Sequence, residues 1–319
     1  MGKELLLLND LATSFFTYRG EVKAVDDVNL MVRKGETLGV VGETGSGKTV
    51  TALSIMRLVP PPGKIVRGKI FFLGKNLLEL SDEHMRKIRG NRISMVFQEP
   101  LTSLNPVLKI IDQLSEGIMY HKGLSKSEAR EKSIHMLKRV RIGSPLTVAK
   151  NYPHELSAGM RQRVMIAIAL LCEPDLLIAD EPTSALDVTI QAEILQLIKN
   201  LKEEFSTSLL IITHNLGIIG QMCKTVATMY AGQVLEYGDV EKVFKEPKHP
   251  YTKGLLASIP KFGVYEYRLE TLPGTLPDPA NLPSGCRFSP RCSYAQKICN
   301  DVRPKLKKLE SGHWIACHL

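Results

Sequence analysis

Residues 42 to 49, Gly-Glu-Thr-Gly-Ser-Gly-Lys-Thr, constrain this chain more than any other stretch. They fit the pattern G-x-x-x-x-G-K-[ST], which works only between an apolar strand and a helix. Both flanks are predicted here: Thr37 to Val41 is a short apolar, β-rich run, and Lys48 to Leu58 reads as a helix ending at the break Pro60, Pro61, Pro62, Gly63. The chemistry follows from the residue types. Glycines at 42, 45 and 47 let the backbone of Gly42, Glu43, Thr44, Gly45, Ser46 and Gly47 wrap its N–H groups around phosphate oxygens. Lys48 offers a point charge to the β- and γ-phosphates, and the Thr49 hydroxyl can ligate Mg²⁺. ATP and Mg²⁺ are therefore the expected ligands.

Phosphate chemistry also needs carboxylates, for the metal and for the attacking water. Leu176 to Ala179 is an apolar strand that ends in Asp180 and Glu181, which puts two acids at its carboxyl end. Asp180 is expected to hold Mg²⁺ and Glu181 to orient and polarise the hydrolytic water. Without the glycine loop, the same pair would read as the start of a turn before Pro182.

Other buried strands are predicted at Ile93 to Phe97, Asp175 to Ala179 and Leu209 to Thr213, alternating with helices at Lys126 to Val140, Ala158 to Leu171 and Ile190 to Phe205. This alternation predicts an α/β fold. Between Phe97 and Asp175 the strand signals stop, which predicts an all-helical insertion. A Pro-rich stretch from Pro273 to Pro283 reads as a linker to a C-terminal appendage. At 319 residues the chain can bury one substantial core with smaller additions. Its 44% hydrophobic and 24% charged residues exclude a disordered chain. The net charge of +9 is scattered rather than clustered and reads as a solvated basic surface. Leu5 to Leu8 is too short for a signal-peptide core, and Val164 to Cys172 is too short to span a bilayer, so the chain is expected to be soluble or peripheral to a membrane.

Leu156, Ser157, Ala158, Gly159 and Met160, followed by Arg161, Gln162 and Arg163, resemble the signature motif of ATP-binding-cassette (ABC) ATPases. The order of the other motifs is also similar. Gln98 after a strand resembles the Q-loop, Ser184 to Asp187 the D-loop, and His214 after a strand the switch histidine. The resemblance implies a P-loop NTPase ABC cassette with a RecA-like core, a helical subdomain and a small cysteine-rich appendage. On that basis the core covers residues 1–97 and 173–260, the helical subdomain 98–172 and the C-terminal region 261–319. It also implies two cassettes joined head to tail, with ATP between one P-loop and the other's Ser157 and Gly159. A helix start of that kind offers free N–H groups and a favourable dipole to a phosphate. His214 becomes a γ-phosphate contact, Gln98 a Mg²⁺ and water contact, and Phe15 the aromatic that stacks on adenine, with Phe16 and Tyr18 as competitors. The usual signature is Leu-Ser-Gly-Gly-Gln. Ala158 and Met160 depart from it, and the added methyl of Ala158 is expected to slow the site that this signature completes.

Four of the six cysteines, Cys286, Cys292, Cys299 and Cys317, lie within the last 34 residues with the spacing C-x5-C-x6-C-x17-C. In a reducing compartment this favours a metal or cluster over disulfides, and the spacing leaves zinc and [4Fe–4S] both open. Residues Gln98 to Pro106, His249 to Pro260 and Gly285 to Leu319 resemble the ATPase subunits of oligopeptide and dipeptide permeases, and that resemblance favours a [4Fe–4S] cluster. His313 and His318 flank Cys317 and read as surface histidines; Cys172 and Cys223 read as small core residues.

The resulting expectation is an ATPase at the cytoplasmic face of the cell membrane that energises peptide import. Its expected partners are a second, non-identical ATPase subunit, two membrane subunits and an extracytoplasmic solute-binding protein. The alternatives are import of another solute, such as an oligosaccharide or nickel, and a soluble ABC ATPase acting on nucleic acid. The latter is disfavoured because the chain carries one cassette and neither a coiled coil nor a large zinc insertion.

Overall fold

The computed structural model describes residues 3–18, 20–184, 186–259, 272–309 and 312–319. Ala185 of the D-loop-like segment, Pro260 and the start of the expected C-terminal region lie outside them. The chain divides into two compact units, one of residues 4–32, 36–78 and 211–319 and the other of residues 1–3, 33–35 and 79–210. The expected appendage thus belongs to the same unit as the glycine loop.

The first unit opens with β1 (Glu4–Thr17), β2 (Gly20–Arg33), β3 (Thr37–Val41), α1 (Lys48–Met56), β4 (Gly63–Phe72) and β5 (Lys75–Asn76). Four of these strands form a sheet in the order β2-β1-β4-β5. β1 and β4 are antiparallel, from Leu6 opposite Phe72 to Phe15 opposite Gly63, with a register shift between Asn9 and Ala12. Asp10 in that bulge has φ 51. β3 is buried at all five positions, as a strand covered on both faces must be. Helix α1 is two residues shorter than expected, because Arg57 turns left-handed at φ 51 and closes the helix.

The second unit holds α2 (Asp82–Ile88), β6 (Ile93–Val96), α3 (Pro100–Ser103), α4 (Ile110–Lys122), α5 (Lys126–Arg139), α6 (Pro145–Val148), α7 (Ala158–Leu170), β7 (Leu176–Asp180) and α8 (Val188–Glu204). β6 and β7 are parallel, with Ile93 opposite Leu176 and Val96 opposite Ala179. Parallel neighbours need a crossover, and here the whole crossover is helical, as the loss of strand signal after Phe97 predicts. Local sequence starts its helices. Ser125 and Glu128 form a capping box on α5, and Asp187 accepts from Ile190 N at 3.0 Å to cap α8.

After β8 (Ser208–Thr213) the chain adds α9 (Leu216–Met222), β9 (Thr225–Tyr230), β10 (Gln233–Asp239), α10 (Val240–Lys245), α11 (Pro250–Ala257), α12 (Ile298–Asp301), β11 (Lys307–Lys308) and β12 (Trp314–Ile315) to the first unit. Their sheet order is β11-β12-β10-β9-β3, with β3 and β9 parallel. β9 and β10 are joined through Ala231 and Gly232, at φ 44 and 83, the two positive values that a tight hairpin demands. The Pro-rich stretch is no loose linker. Leu272, Leu276 and Leu282 pack on a buried cluster that includes Tyr230, Leu235, Tyr251 and Phe288. Among the described residues no helix is long and apolar enough to cross a membrane.

Candidate functional site

The loop from Gly42 to Lys48 is shaped by close backbone approaches. A Cβ on Gly42 would lie 2.1 Å from the Met229 carbonyl oxygen, and one on Gly47 would lie 2.5 Å from that of Ala24. Gly45 and Gly47 also have φ 84 and 100, which an L side chain resists. The loop closes on itself where Ser46 N donates to Glu43 O at 3.1 Å. Lys48 is buried and donates from Nζ to Gly42 O at 2.7 Å and to Glu43 O at 3.0 Å. The ammonium therefore lies inside the ring of backbone that would receive phosphate. Thr44 and Gly45 are exposed at the tip, while Ser46 is fully buried with no partner for its hydroxyl oxygen. A buried orphan hydroxyl beside a glycine cradle suits an anionic ligand.

The same unit carries the candidate aromatics and His214. Phe15 is half-buried, and its ring edge lies 2.7 Å from where a Gly63 Cβ would stand, so it packs on the backbone across the sheet. Phe16 and Tyr18 are 48% and 91% exposed. All three rings thus keep some accessible surface, Phe15 the least and Tyr18 the most. His214 is exposed just beyond β8, where Asn215 begins α9 by accepting from Gly217 N at 2.8 Å.

The second unit holds the acids, Gln98 and the signature segment. Asp180 ends β7 with 1% exposure, and Glu181 follows at φ 46 with its carbonyl accepting from Ser184 N and Oγ, each at 3.2 Å. A positive φ on a non-glycine residue is strained backbone of the kind found at working sites. Gln98 is exposed in the bend after β6. Ser157 is exposed and caps α7 by accepting from Met160 N at 3.3 Å, with Ala158 exposed beside it. Gly159 is tight: a Cβ there would sit 3.1 Å from Ile190. Arg161 donates to Leu156 O at 2.6 Å and Arg163 to Glu193 at 2.6 Å, which fixes the start of α7. Thr49, Gln98 and Asp180 each offer an oxygen donor of the hard type that Mg²⁺ prefers.

The cysteines depart from the expectation of a cluster. Cys286 and Cys299 are buried, Cys292 packs against the same apolar cluster, and Cys286 N donates to Cys299 O at 2.7 Å. Burial first, and then the neighbouring Cys299 and Cys317, push the Cys286 thiol up; Cys292 is raised in the same way. Among the described residues no group of three or more His, Cys, Asp or Glu side chains is placed to hold a metal ion. The [4Fe–4S] ligand set of Cys286, Cys292, Cys299 and Cys317 is thus not supported by the arrangement of the described residues. His313 is not a surface histidine either: it is 2% exposed, with Nε2 2.6 Å from Glu236 Oε1. His318 Nε2 meets Val302 O at 2.8 Å. Cys172 is buried, and burial pushes the Cys223 thiol up.

Sequence reasoning missed Tyr251, Arg287, Arg291 and Glu236. Tyr251 Oη accepts from Glu43 N at 3.0 Å, and Arg291 Nη1 donates to the Glu43 carboxylate at 2.9 Å. These contacts join positions more than two hundred residues apart, and no local pattern marks them.

A sequence profile described as "ABC transporter" matches residues 25–184, and one described as "Oligopeptide/dipeptide transporter, C-terminal region" matches residues 235–299. The chain is 50% identical over 316 residues to the oligopeptide transport ATP-binding protein AppD of Bacillus subtilis, covering 99% of this chain and 96% of that protein. It is 49% identical over 313 residues to the oligopeptide transport ATP-binding protein OppD of Salmonella typhimurium, covering 98% and 93%. Among solved structures, a dimeric ATP-binding cassette in a post-hydrolysis state with ADP and Pi matches with a TM-score of 0.67 at 27% identity, over 74% of this chain and 99% of that one.

Proposed function

The chain belongs to the ABC transporter family of ATPases, and from that premise we propose that it hydrolyses ATP to drive import of di- and oligopeptides across a membrane. The observation that carries the substrate class is similarity along nearly the whole chain to oligopeptide transport ATP-binding proteins, including the C-terminal region.

In this reading the backbone of Gly42 to Gly47 binds the phosphates, and the Lys48 ammonium exchanges its two carbonyl partners for β- and γ-oxygens. Thr49, Asp180 and Gln98 would each supply an oxygen donor to Mg²⁺, and that ion would supply neutralisation of charge on the phosphate oxygens. Glu181 polarises the attacking water and His214 contacts the γ-phosphate. Ser157 and Gly159 serve the ATP held by a second cassette, so one chain alone does not complete a site. Phe15 stacks on the adenine, with Phe16 and Tyr18 as its competitors. The membrane subunits dock near Gln98, which places the protein at the cytoplasmic face as a peripheral subunit. The partner cassette is non-identical, and a solute-binding protein delivers the peptide. The [4Fe–4S] expectation plays no part in this reaction; iron and sulfide analysis of protein purified without oxygen tests it separately.

The test is uptake by proteoliposomes holding the complete transporter, with labelled peptide outside and ATP inside. Peptide uptake is expected to need ATP and to fall by about 10²–10⁴-fold with Glu181→Gln, the range for loss of a general base, while ATP binding persists. ATP-driven uptake of nickel or an oligosaccharide without peptide uptake would overturn the substrate class.

A further inference from the structure

The P-loop is held from outside its own motif, and from one direction. Glu43, its second residue, is gripped at three groups. Its N–H donates to the Tyr251 hydroxyl at 3.0 Å, its carboxylate accepts from Arg291 Nη1 at 2.9 Å, and its carbonyl accepts from Lys48 Nζ at 3.0 Å. Tyr251 lies in α11 and is fully buried.

The Arg291 side chain is 6% accessible and is itself fixed. Nε donates to Pro273 O at 2.7 Å, and the guanidinium stands over the Tyr230 ring at 5.6 Å and the Phe288 ring at 6.0 Å. A charge so enclosed cannot swing away from Glu43 at little cost, because the alternative is a desolvated, unpaired guanidinium.

A second hold reaches the far end of the loop. Arg287 is 5% exposed and donates to Ala231 O and to Asp26 Oδ2, the latter at 2.5 Å. The next residue, Gly232, donates from N to Ser46 O at 2.9 Å and accepts from Asp26 N at 2.8 Å. Thus Tyr251 and Arg291 hold Glu43 directly, Arg287 reaches Ser46 only through the β9–β10 hairpin, and only the tip at Thr44 and Gly45 is left exposed.

We propose that Arg291 and Tyr251 are positioning residues for nucleotide binding, and that the C-terminal segment acts as a brace that holds the P-loop in its phosphate-accepting shape. The proposal rests on the reading of Gly42 to Thr49 as the ATP site. Its physical basis is preorganisation. A loop containing three glycines loses much backbone freedom on gripping phosphate, and a brace that restricts it beforehand lowers that cost. Neither side chain needs to touch ATP. Arg291 acts through the carboxylate of Glu43, and Tyr251 acts through its N–H.

The experiment measures binding of a fluorescent N-methylanthraniloyl ATP to the full chain, with thermal melts to confirm that each variant folds. Arg291→Met is expected to weaken binding about tenfold, the scale of a lost charge-assisted hydrogen bond, and Tyr251→Phe about fivefold. Arg291→Lys is expected to recover part of the loss, since it restores the charge but not the planar fork. Glu43→Gln combined with Arg291→Met should be no worse than either alone, because both remove one interaction. In the assembled transporter, with ATP varied from below to above KM, Tyr251→Phe should raise KM and leave kcat unchanged.

Native affinity in both Arg291→Met and Tyr251→Phe would overturn the brace, as would losses from Glu43→Gln and Arg291→Met that multiply. Lys48→Ala separates the two levels of the argument. If it binds nucleotide normally, the reading of the P-loop itself fails; if it loses binding while the brace variants do not, only the brace fails.

Discussion

Replacing Glu236 by Gln is expected to destabilise the protein by about 3 kcal/mol at neutral pH. Glu236 is fully buried, and its carboxylate accepts from Lys248 N at 2.7 Å and His249 N at 3.0 Å and pairs with His313 Nε2 at 2.6 Å. An amide keeps the shape but turns one acceptor into a donor, so one of these N–H groups loses its partner at about 1–3 kcal/mol, and the remaining bonds lose their charge assistance, about 1 kcal/mol more. At about 2–4 °C per kcal/mol, the melting temperature falls by about 6–12 °C. The pH dependence has a definite sign. Burial works to raise the carboxyl, but the hydrogen bonds from His313, Thr252 and the backbone of Lys248 and His249 outweigh it and hold it below the ordinary glutamate range. A carboxylate depressed on folding contributes stability above its unfolded value, about 4.3, and loses it as the pH falls through the folded value. Urea melts of both proteins from pH 7 to pH 3.5 should therefore show a constant gap down to about pH 5 that closes below about pH 4. A gap under about 1 kcal/mol at pH 7, or one that widens on acidification, would refute the reasoning.

His249 is held neutral by burial, with its imidazole pushed down to about 4 while Nδ1 caps α11 by accepting from Tyr251 N at 3.0 Å. The unfolded chain binds a proton below about pH 6.5 that the folded chain refuses, so wild type loses about 3 kcal/mol between pH 6.5 and pH 4; urea melts of His249→Asn, which keeps a cap acceptor, should show that loss removed. Gly42→Ala puts a methyl 2.1 Å from the Met229 carbonyl oxygen and is expected to cost about 3 kcal/mol in thermal melts and to abolish binding of the fluorescent ATP. Ala158→Gly, at the exposed start of α7, should raise ATP turnover in the assembled complex, and an unchanged rate would show that the Ala158 methyl is harmless.

Local chemistry explains which parts of the molecule were legible. β3, β6, β7 and β8 are apolar runs buried on both faces, and each was anticipated to within a residue or two because burial of that kind leaves an uninterrupted hydrophobic signal. α5 and α7 announce themselves with Ser125 and Ser157 caps. β1 was not recognised, since four consecutive leucines from Leu5 hide the two-residue period and the bulge at Asp10 breaks it again. β4 buries only Ile70 and Phe72, and its alternation breaks at Val66 and Arg67. At the site, the glycine loop and the acids after β7 were legible because phosphate chemistry ties residue type to spacing. The bracing arginines were not, since Arg287 and Arg291 find Asp26 and Glu43 only through the fold. The cysteine spacing suggested ligands, but Cys286, Cys292 and Cys299 lie with the apolar cluster, and no metal-holding group occurs among the described residues.

The pairing of β12 on β10 in the second sheet also sets a timetable for synthesis. Trp314 and Ile315 pair with Tyr237 and Glu236, and Ala316 N donates to Leu235 O at 2.8 Å, so β10 is covered on that side by residues made much later. At about 5–20 residues per second, roughly 4–15 s separate the translation of β10 from that of β12. Throughout that interval the emerging chain carries a bare strand edge and a glutamate at position 236 that lacks its His313 partner, both open to a neighbouring nascent chain on the same message. Ribosomes that stall between Asp239 and Trp314 would prolong that hazard, and the yield of folded protein should depend on how quickly this last quarter of the chain is translated.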